Sequence, residues 1–331
     1  MHRLPLGSSG QTVSAIGLGC VGMSQAYGAA DEAQSMSTMQ CALDQGIDFF
    51  DTADLYGVGH NEELIGRFLK AAGRNRVILA TKFGSLPAGP DGMPGVDNSP
   101  EHIRKACDAS LKRLGTDVID VYYMHRRDPK MPIAESVGAM ARLVEAGKVR
   151  FLGLSEVAAA TLRQAHAVHP IAALQSEYSL WFRDPEADVV PACRELGISF
   201  VPFSPLGRAF LTGTMPAAGF TGRDIRATLP RFHGEAAENN RRLVDKLVAF
   251  AAQRGVTAAQ VALAWLLTKG DTKASVIPIP GTKRSEYLIE NAAATDLKLS
   301  SVDVGYLETL FSPDAVAGAR YSGIEAARAG T

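Results

Sequence analysis

Cysteine is scarce in this chain of 331 residues: Cys20, Cys41, Cys107 and Cys193 are all it has, and no two form a CxxC pair. Thiols scattered in this way do not build a structural zinc site and fit a reducing compartment better than a disulfide framework. Net charge is almost absent as well, −1 from 34 basic and 35 acidic residues, which leaves no basic footprint for nucleic acid. No apolar run reaches the roughly 18 residues that a membrane span needs. The stretch from Met1 to Gly10 lacks the apolar core of a secretory signal. These absences point to a cytoplasmic globular protein with no nucleic-acid or membrane partner. Apolar residues, by contrast, make up 46% of the chain, ample for a sizeable core.

The punctuation is regular. Leu6 and Val13 flank Gly7-Ser8-Ser9-Gly10, the chemistry of a short hairpin turn. Eight apolar runs follow, at residues 14–22, 47–51, 77–81, 118–124, 150–154, 171–174, 198–203 and 275–279. A helical pattern comes after each of them. Asp31, Ser99-Pro100 and Thr257 sit where helices start, and Gly46, Gly73, Gly115, Gly147 and Gly197 where they stop. Runs 47–51, 118–124 and 198–203 do not alternate, as expected where both faces of a parallel sheet are buried. The pattern predicts an α/β fold, a (β/α)8 barrel, in one domain over residues 1–331. Two long segments, 85–98 and 204–238, read as a flap and as a partly mobile loop, and the tail 312–331 frays or covers the site.

Chemistry gathers where apolar runs end. Phe49-Phe50 leads into Asp51, with Tyr56 on the loop beyond it; Leu79-Ala80-Thr81 leads into Lys82; Tyr122-Tyr123-Met124 leads into His125. In a barrel these ends converge on one face, where active sites sit. A carboxylate there needs a partner. A free phenol is a poor acid at neutral pH, and a neighbouring ammonium lowers its pKa. An amine held by a carboxylate, a phenol tuned by the amine and an imidazole able to orient a carbonyl form a set that can protonate an alkoxide. The set needs no metal.

Further stretches extend the pattern: Asp51-Thr52-Ala53-Asp54-Leu55-Tyr56-Gly57, Thr81-Lys82-Phe83-Gly84, Gly153-Leu154-Ser155-Glu156, Leu174-Gln175-Ser176-Glu177-Tyr178-Ser179, Pro202-Phe203-Ser204-Pro205-Leu206-Gly207 and Ile279-Pro280-Gly281-Thr282-Lys283-Arg284. In these stretches and in their order the chain resembles the aldo-keto reductases, closest to the branch that includes perakine reductase and pyridoxal-reductase-like enzymes. The resemblance implies a barrel whose base an N-terminal hairpin closes, and NADPH-dependent reduction of aldehydes or ketones. It implies Tyr56 as general acid, Lys82 and Asp51 as the pair that tunes it, and His125 as the imidazole on the carbonyl. Ser155 and Gln175 match the groups that hold the nicotinamide carboxamide, and Phe203 the ring stacked on it. Ser204, Leu206, Gly207 and Arg208 match the pyrophosphate loop. Gly281, Thr282, Lys283 and Arg284 match the adenosine 2′-phosphate site, and Glu290 and Asn291 the adenine contacts. Two positions depart from the pattern: Phe203 stands where relatives often have Tyr, and Glu156 where many have Asn.

Some signals compete. Pro280-Gly281 reads as a helix opening, which favours an anion, and Lys283-Arg284 adds two charges; the plain alternative is a solvated pair. Gly17-Leu18-Gly19-Cys20-Val21-Gly22 fits a dinucleotide fingerprint, but no helix follows directly, so it reads as a tight strand end with the Cys20 backbone near the cofactor. His166 and His169 lack a third ligand. Trp181 and Phe182 either pack locally or wall a substrate pocket, and Tyr27 and Phe83 raise the same choice. A cofactor-binding regulatory protein with little turnover is the alternative function. The sequence leaves monomer and homo-oligomer both open.

Overall fold

The computed structural model describes residues 1–89, 94–215, 220 and 224–321. Seven parallel strands are hydrogen-bonded in chain order: β1 (Leu18–Gly19), β2 (Phe49–Asp51), β3 (Ile78–Phe83), β4 (Ile119–Met124), β5 (Val149–Ser155), β6 (Ile171–Glu177) and β7 (Ser199–Phe203). The eighth run closes the circle without forming a regular strand. Ile277 and Ile279 donate to Phe200 and Pro202 of β7, while Pro278 and Pro280 accept from Gly17 and Gly19 on the β1 side. Proline has no N–H to return. Along Pro278–Pro280 the β1 seam therefore carries hydrogen bonds in one direction only, and the strand expected over 275–279 survives as a bridge between two neighbours. The architecture is a (β/α)8 barrel.

Helices α1 (Glu32–Asp44), α2 (His60–Ala72), α3 (Pro100–Leu114), α4 (Ile133–Glu145), α5 (Ala159–Val168) and α6 (Val189–Leu196) follow the first six strands. After β7 come α7 (Gly234–Ala252) and α8 (Ala258–Leu267), and after the closing segment α9 (Ser285–Ala293) and α10 (Ser301–Leu310). The expected caps are in place. Asp31 accepts from Gln34 N–H, Ser99 from His102 N–H, and Thr257 shares a capping box with Gln260. One start differs: Pro280-Gly281 does not open a helix, which begins at Ser285. Part of the 85–98 segment forms a hairpin, Ser85–Ala88 with Pro94–Val96, and short 3₁₀ turns order parts of 204–238. Residues 90–93, 216–219, 221–223 and 322–331 of the two long segments and the tail lie outside the described residues. Among the described residues no helix is long and apolar enough to cross a membrane.

Strand alternation sorts the core into two layers. Phe49, Ala80, Val121, Tyr123, Ala173, Val201 and Ile277 fill the barrel interior, together with Leu6 and Val13 of the N-terminal hairpin. Phe50, Leu79, Tyr122, Leu154, Leu174 and Phe200 point outward to the helices. The hairpin (Arg3–Pro5 with Thr12–Ser14) closes the amino-terminal end: Ser199 at the start of β7 donates to Pro5 O (3.0 Å) and accepts from Gly7 N–H (2.7 Å). Side chains two residues apart share a face. Counting two onward from Phe49, Ala80, Tyr123, Ala173 and Val201 gives Asp51, Lys82, His125, Gln175 and Phe203. These lie on the inward side at or near the carboxyl ends of their strands, His125 one residue past β4, which is why residues distant in sequence meet.

The glycines near the start of the barrel serve its closure. A Cβ on Gly19 would lie 2.9 Å from Ile279 O, and one on Gly17 2.8 Å from Phe49 O, both rigid backbone atoms. This close approach accounts for the first two glycines of the apparent dinucleotide fingerprint; Gly22 has only an ordinary contact, with Tyr27. Gly138 in α4 differs, with open space around it. Gly19→Ala should lower the unfolding free energy by about 1–3 kcal/mol through overpacking. Gly138→Ala should raise it by roughly 0.5–1 kcal/mol through helix propensity. Urea unfolding of both variants checks the opposite signs.

Candidate active site

Lys82 is fully buried, and three oxygens surround its ammonium. It pairs with Asp51 Oδ1, donates to Thr52 O at 2.8 Å, and lies 3.3 Å from the Tyr56 hydroxyl. The other Asp51 oxygen accepts from Gln175 Nε2 at 2.8 Å. The His125 ring meets Tyr56 edge-on, centroids 5.8 Å apart. The loop carrying Tyr56 is anchored by Asn61, a buried residue whose role the sequence reading missed. Its Oδ1 accepts from Thr52 Oγ1 (2.6 Å), and its amide donates to Cys20 O (2.9 Å) and Ser24 Oγ (2.8 Å). A polar residue at the first turn of α2 was the available signal, but such residues more often cap or face solvent.

Burial raises the pKa of Tyr56, and the Lys82 charge opposes that rise without overcoming it. The expected net lowering of the phenol is therefore not present in this state; Lys82 acts as a counterweight to burial. Burial also opposes the charge on Lys82, but Asp51 and Tyr56 outweigh it and leave the amine above its ordinary value. Burial raises Asp51 while Lys82 and Gln175 oppose the rise. With an ammonium on one oxygen and an amide on the other, we take Asp51 and Lys82 as an ion pair. His125 is held well below its usual pKa by burial and by the charges of Arg126 and Lys82, so its ring is neutral. Its Nδ1 has no protein partner among the described residues.

Above this group opens a cavity of about 640 Å³. Cys20, Asp51, Tyr56, His125, Ser155, Gln175, Phe203, Ser204, Leu206, Arg208, Gly281, Thr282, Lys283 and Arg284 all line it. Lys82 lies buried beneath them. Gly207, Glu290 and Asn291 are not part of the lining. Gly207 instead makes room for Trp181, whose ring would be 2.6 Å from a Cβ there. Trp181 stacks on Phe210 at 4.7 Å, so it packs locally and does not wall the cavity. Phe83 likewise stacks on Tyr122, whereas Tyr27 does line the cavity. Lys283 donates to the carbonyls of Tyr27 and Ala29, clasping the loop over the cavity, while Arg284 is exposed beside Tyr287.

The lining holds five cationic side chains and one carboxylate, Asp51, already paired with Lys82. That balance fits a polyanion such as a dinucleotide phosphate. Among the described residues no cluster could hold a metal; His166 is occupied in accepting from Ile171 N–H.

A sequence profile described as the aldo/keto reductase family matches residues 15–311. The chain is 43% identical over 322 residues to a protein named probable aldo-keto reductase 1 from Glycine max, covering 97% of this chain and 92% of that one. The chain belongs to the aldo/keto reductase family. The fold is similar to that of a glycerol dehydrogenase from Gluconobacter oxydans, with a TM-score of 0.84 at 27% identity over 95% of this chain and 96% of that one. It is also similar to an aldo/keto reductase from Klebsiella pneumoniae solved with NADP and acetate, with a TM-score of 0.74 at 28% identity over 98% of this chain and 100% of that one.

Within this aldo/keto reductase, the end of the described chain docks beside the cavity. Arg320 pairs with Glu156 (2.7 Å) and Glu177 (2.8 Å), and the Tyr321 hydroxyl lies 3.4 Å from Glu177 and 3.0 Å from Arg208. Both carboxylates are buried. Burial pushes Glu177 upward, but Arg208 and Arg320 more than offset it. Glu156, the departure noted in the sequence, is thus a partner for the tail. Its backbone is left-handed, φ 56°, and its carboxylate also accepts from Glu177 N–H. Arg320→Ala leaves two buried carboxylates short of a cation and should cost about 3 kcal/mol in urea unfolding. Adding Glu156→Gln should recover part of the loss. A cost near zero for Arg320→Ala would mean that the tail is not held by this cluster.

Proposed function

We propose that the chain reduces aldehydes or ketones to alcohols with NADPH, with Tyr56 as the general acid. The observation that carries this reading is the buried Lys82 ammonium shared between the Asp51 carboxylate and the Tyr56 hydroxyl. When bound, the nicotinamide supplies a hydride to the carbonyl carbon. The chain's own residues manage the proton and the geometry. Tyr56, kept protonated by burial, delivers its proton to the carbonyl oxygen. Lys82 stabilises the phenolate left behind, and Asp51, itself fixed by Gln175, keeps Lys82 charged. Neutral His125 donates a hydrogen bond that orients the carbonyl, and Tyr56 remains the proton source.

The remaining assignments follow the lining, except those of Gly207, Glu290 and Asn291, which rest on the family resemblance. Gln175 uses its amide nitrogen on Asp51, which leaves its carbonyl for the nicotinamide carboxamide, with Ser155 beside it. Phe203 offers the stacking face. The loop from Ser204 through Leu206 and Gly207 to Arg208 takes the pyrophosphate, chiefly through its backbone, because the Arg208 side chain is engaged with Glu177 and Tyr321. Gly281, Thr282 and Arg284 take the 2′-phosphate. Lys283 secures the loop above it, and Glu290 and Asn291 flank the adenine side.

Tyr56→Phe should lower the rate of aldehyde reduction by about 10²–10⁴-fold, with NADPH affinity nearly unchanged. Near wild-type turnover by this variant would remove Tyr56 from the mechanism. Because His125 is held neutral and Tyr56 protonated, wild-type reduction should be flat from about pH 6.5 to 9. A rate titrating near the ordinary histidine pKa would contradict this. No NADPH oxidation with any carbonyl compound would favour a cofactor-binding regulatory protein instead.

The two cations of the 2′-phosphate region should separate. Arg284→Ala should weaken NADPH by about one to two decades and spare NADH, as expected for a charge-assisted contact of roughly 1.5–3 kcal/mol. Lys283→Ala should weaken both cofactors alike, because it releases the loop. Fluorescence titration of both cofactors against both variants distinguishes a clasp from a phosphate reader. Loss of NADPH preference in Lys283→Ala alone would reverse the assignment.

A further inference from the structure

Resting on the proposed reductase reading, we infer that Arg126 forms an anion subsite beside the reacting carbonyl, so that the preferred substrates are aldehydes or ketones bearing a carboxylate or phosphate group. The five cations of the cavity do not have equivalent surroundings. Arg208 pairs with Glu177, Arg226 pairs with Asp224 at 2.7 Å, and Lys283 is taken up by two backbone carbonyls. Arg284 lies exposed beside Tyr287, at the α9 end of the cavity. Arg126 directly follows His125 at the carboxyl end of β4 and lines the cavity with Tyr56 and Ser155.

A single nitrogen of Arg126 makes its contacts. NH1 donates to His125 O (2.7 Å) and to Ser155 Oγ (3.3 Å). No carboxylate pairs with Arg126 among the described residues, and its Nε and NH2 are neither partnered nor buried. A purely structural prop for the His125 carbonyl needs one N–H and no charge. The guanidinium instead brings a cation to the cavity beside His125 and Tyr56, where among the described residues no carboxylate of the protein answers it. Its planar fork, held by one nitrogen and open at the others, suits the paired oxygens of a carboxylate or phosphate.

The test compares 4-formylbenzoate, its methyl ester and 4-formylphenyl phosphate as substrates for wild type, Arg126→Lys and Arg126→Met, with NADPH. Wild type should favour an anionic aldehyde over the ester by at least about tenfold in kcat/KM. That ratio should collapse to about one or less in Arg126→Met and recover partly in Arg126→Lys, which restores charge without the fork. Whether carboxylate or phosphate gains more names the source of the anion. A second readout needs no turnover: calorimetric binding of 4-(hydroxymethyl)benzoate and its methyl ester, with and without NADP⁺. Tighter binding of the acid than of the ester in wild type, lost in Arg126→Met, supports the subsite even if no aldehyde is reduced; only the reductase reading then fails. Equal binding of acid and ester overturns the subsite. So does a loss of NADP⁺ affinity in Arg126→Met with the acid-to-ester ratio unchanged, which would assign Arg126 to the cofactor.

Discussion

A lysine ammonium with no access to water is the constraint on which the site depends. Lys82 can stay charged only because Asp51 sits against it and Thr52 O accepts a second hydrogen bond from it, and Asp51 stays in place because Gln175 holds its second oxygen. Losing one partner of such a buried pair leaves an uncompensated charge, a penalty of about 3–5 kcal/mol. The remaining contact of Lys82 is the Tyr56 hydroxyl. The interior of the barrel thus delivers one positive charge to one phenol, and the strands supply rigid mounts for it.

The barrel was legible in the sequence because strand ends, helix caps and stop glycines repeat at one rhythm. The meeting of Asp51 and Lys82 was legible because the strand period carries Phe49 to Asp51 and Ala80 to Lys82 on the same inward face. The eighth strand was less so: Pro278 and Pro280 remove the donors that a regular ladder needs, although the apolar run persists. The helix opening read at Pro280-Gly281 was misplaced: the helix begins at Ser285, and this stretch serves the seam with Gly19, to which Gly281 is bridged. Local pattern could not reveal these tertiary demands.

Long-range charge pairing was the least legible feature. In the sequence Glu156 stands out only as a departure from Asn, Glu177 only as part of a matching stretch, and Arg320 as one residue of a tail. Only the fold brings them together, and only then does Glu156 acquire a role. The same holds for Lys283, whose ammonium is committed to the loop around Tyr27, so that two adjacent cations divide into a clasp and an exposed charge. The consequence is a cavity in which three of five cations are taken up by the protein itself, leaving Arg284 exposed at one end and Arg126 beside His125 at the other.

The central claim is that Lys82 offsets the effect of burial on Tyr56. Labelling the tyrosines with ¹³C at Cζ and identifying the Tyr56 resonance with Tyr56→Phe allows its ionisation to be followed by NMR in wild type and in Lys82→Met. The account predicts that removing the charge moves the Tyr56 titration to higher pH, since burial then acts unopposed. An unchanged or lower Tyr56 pKa in Lys82→Met would contradict it.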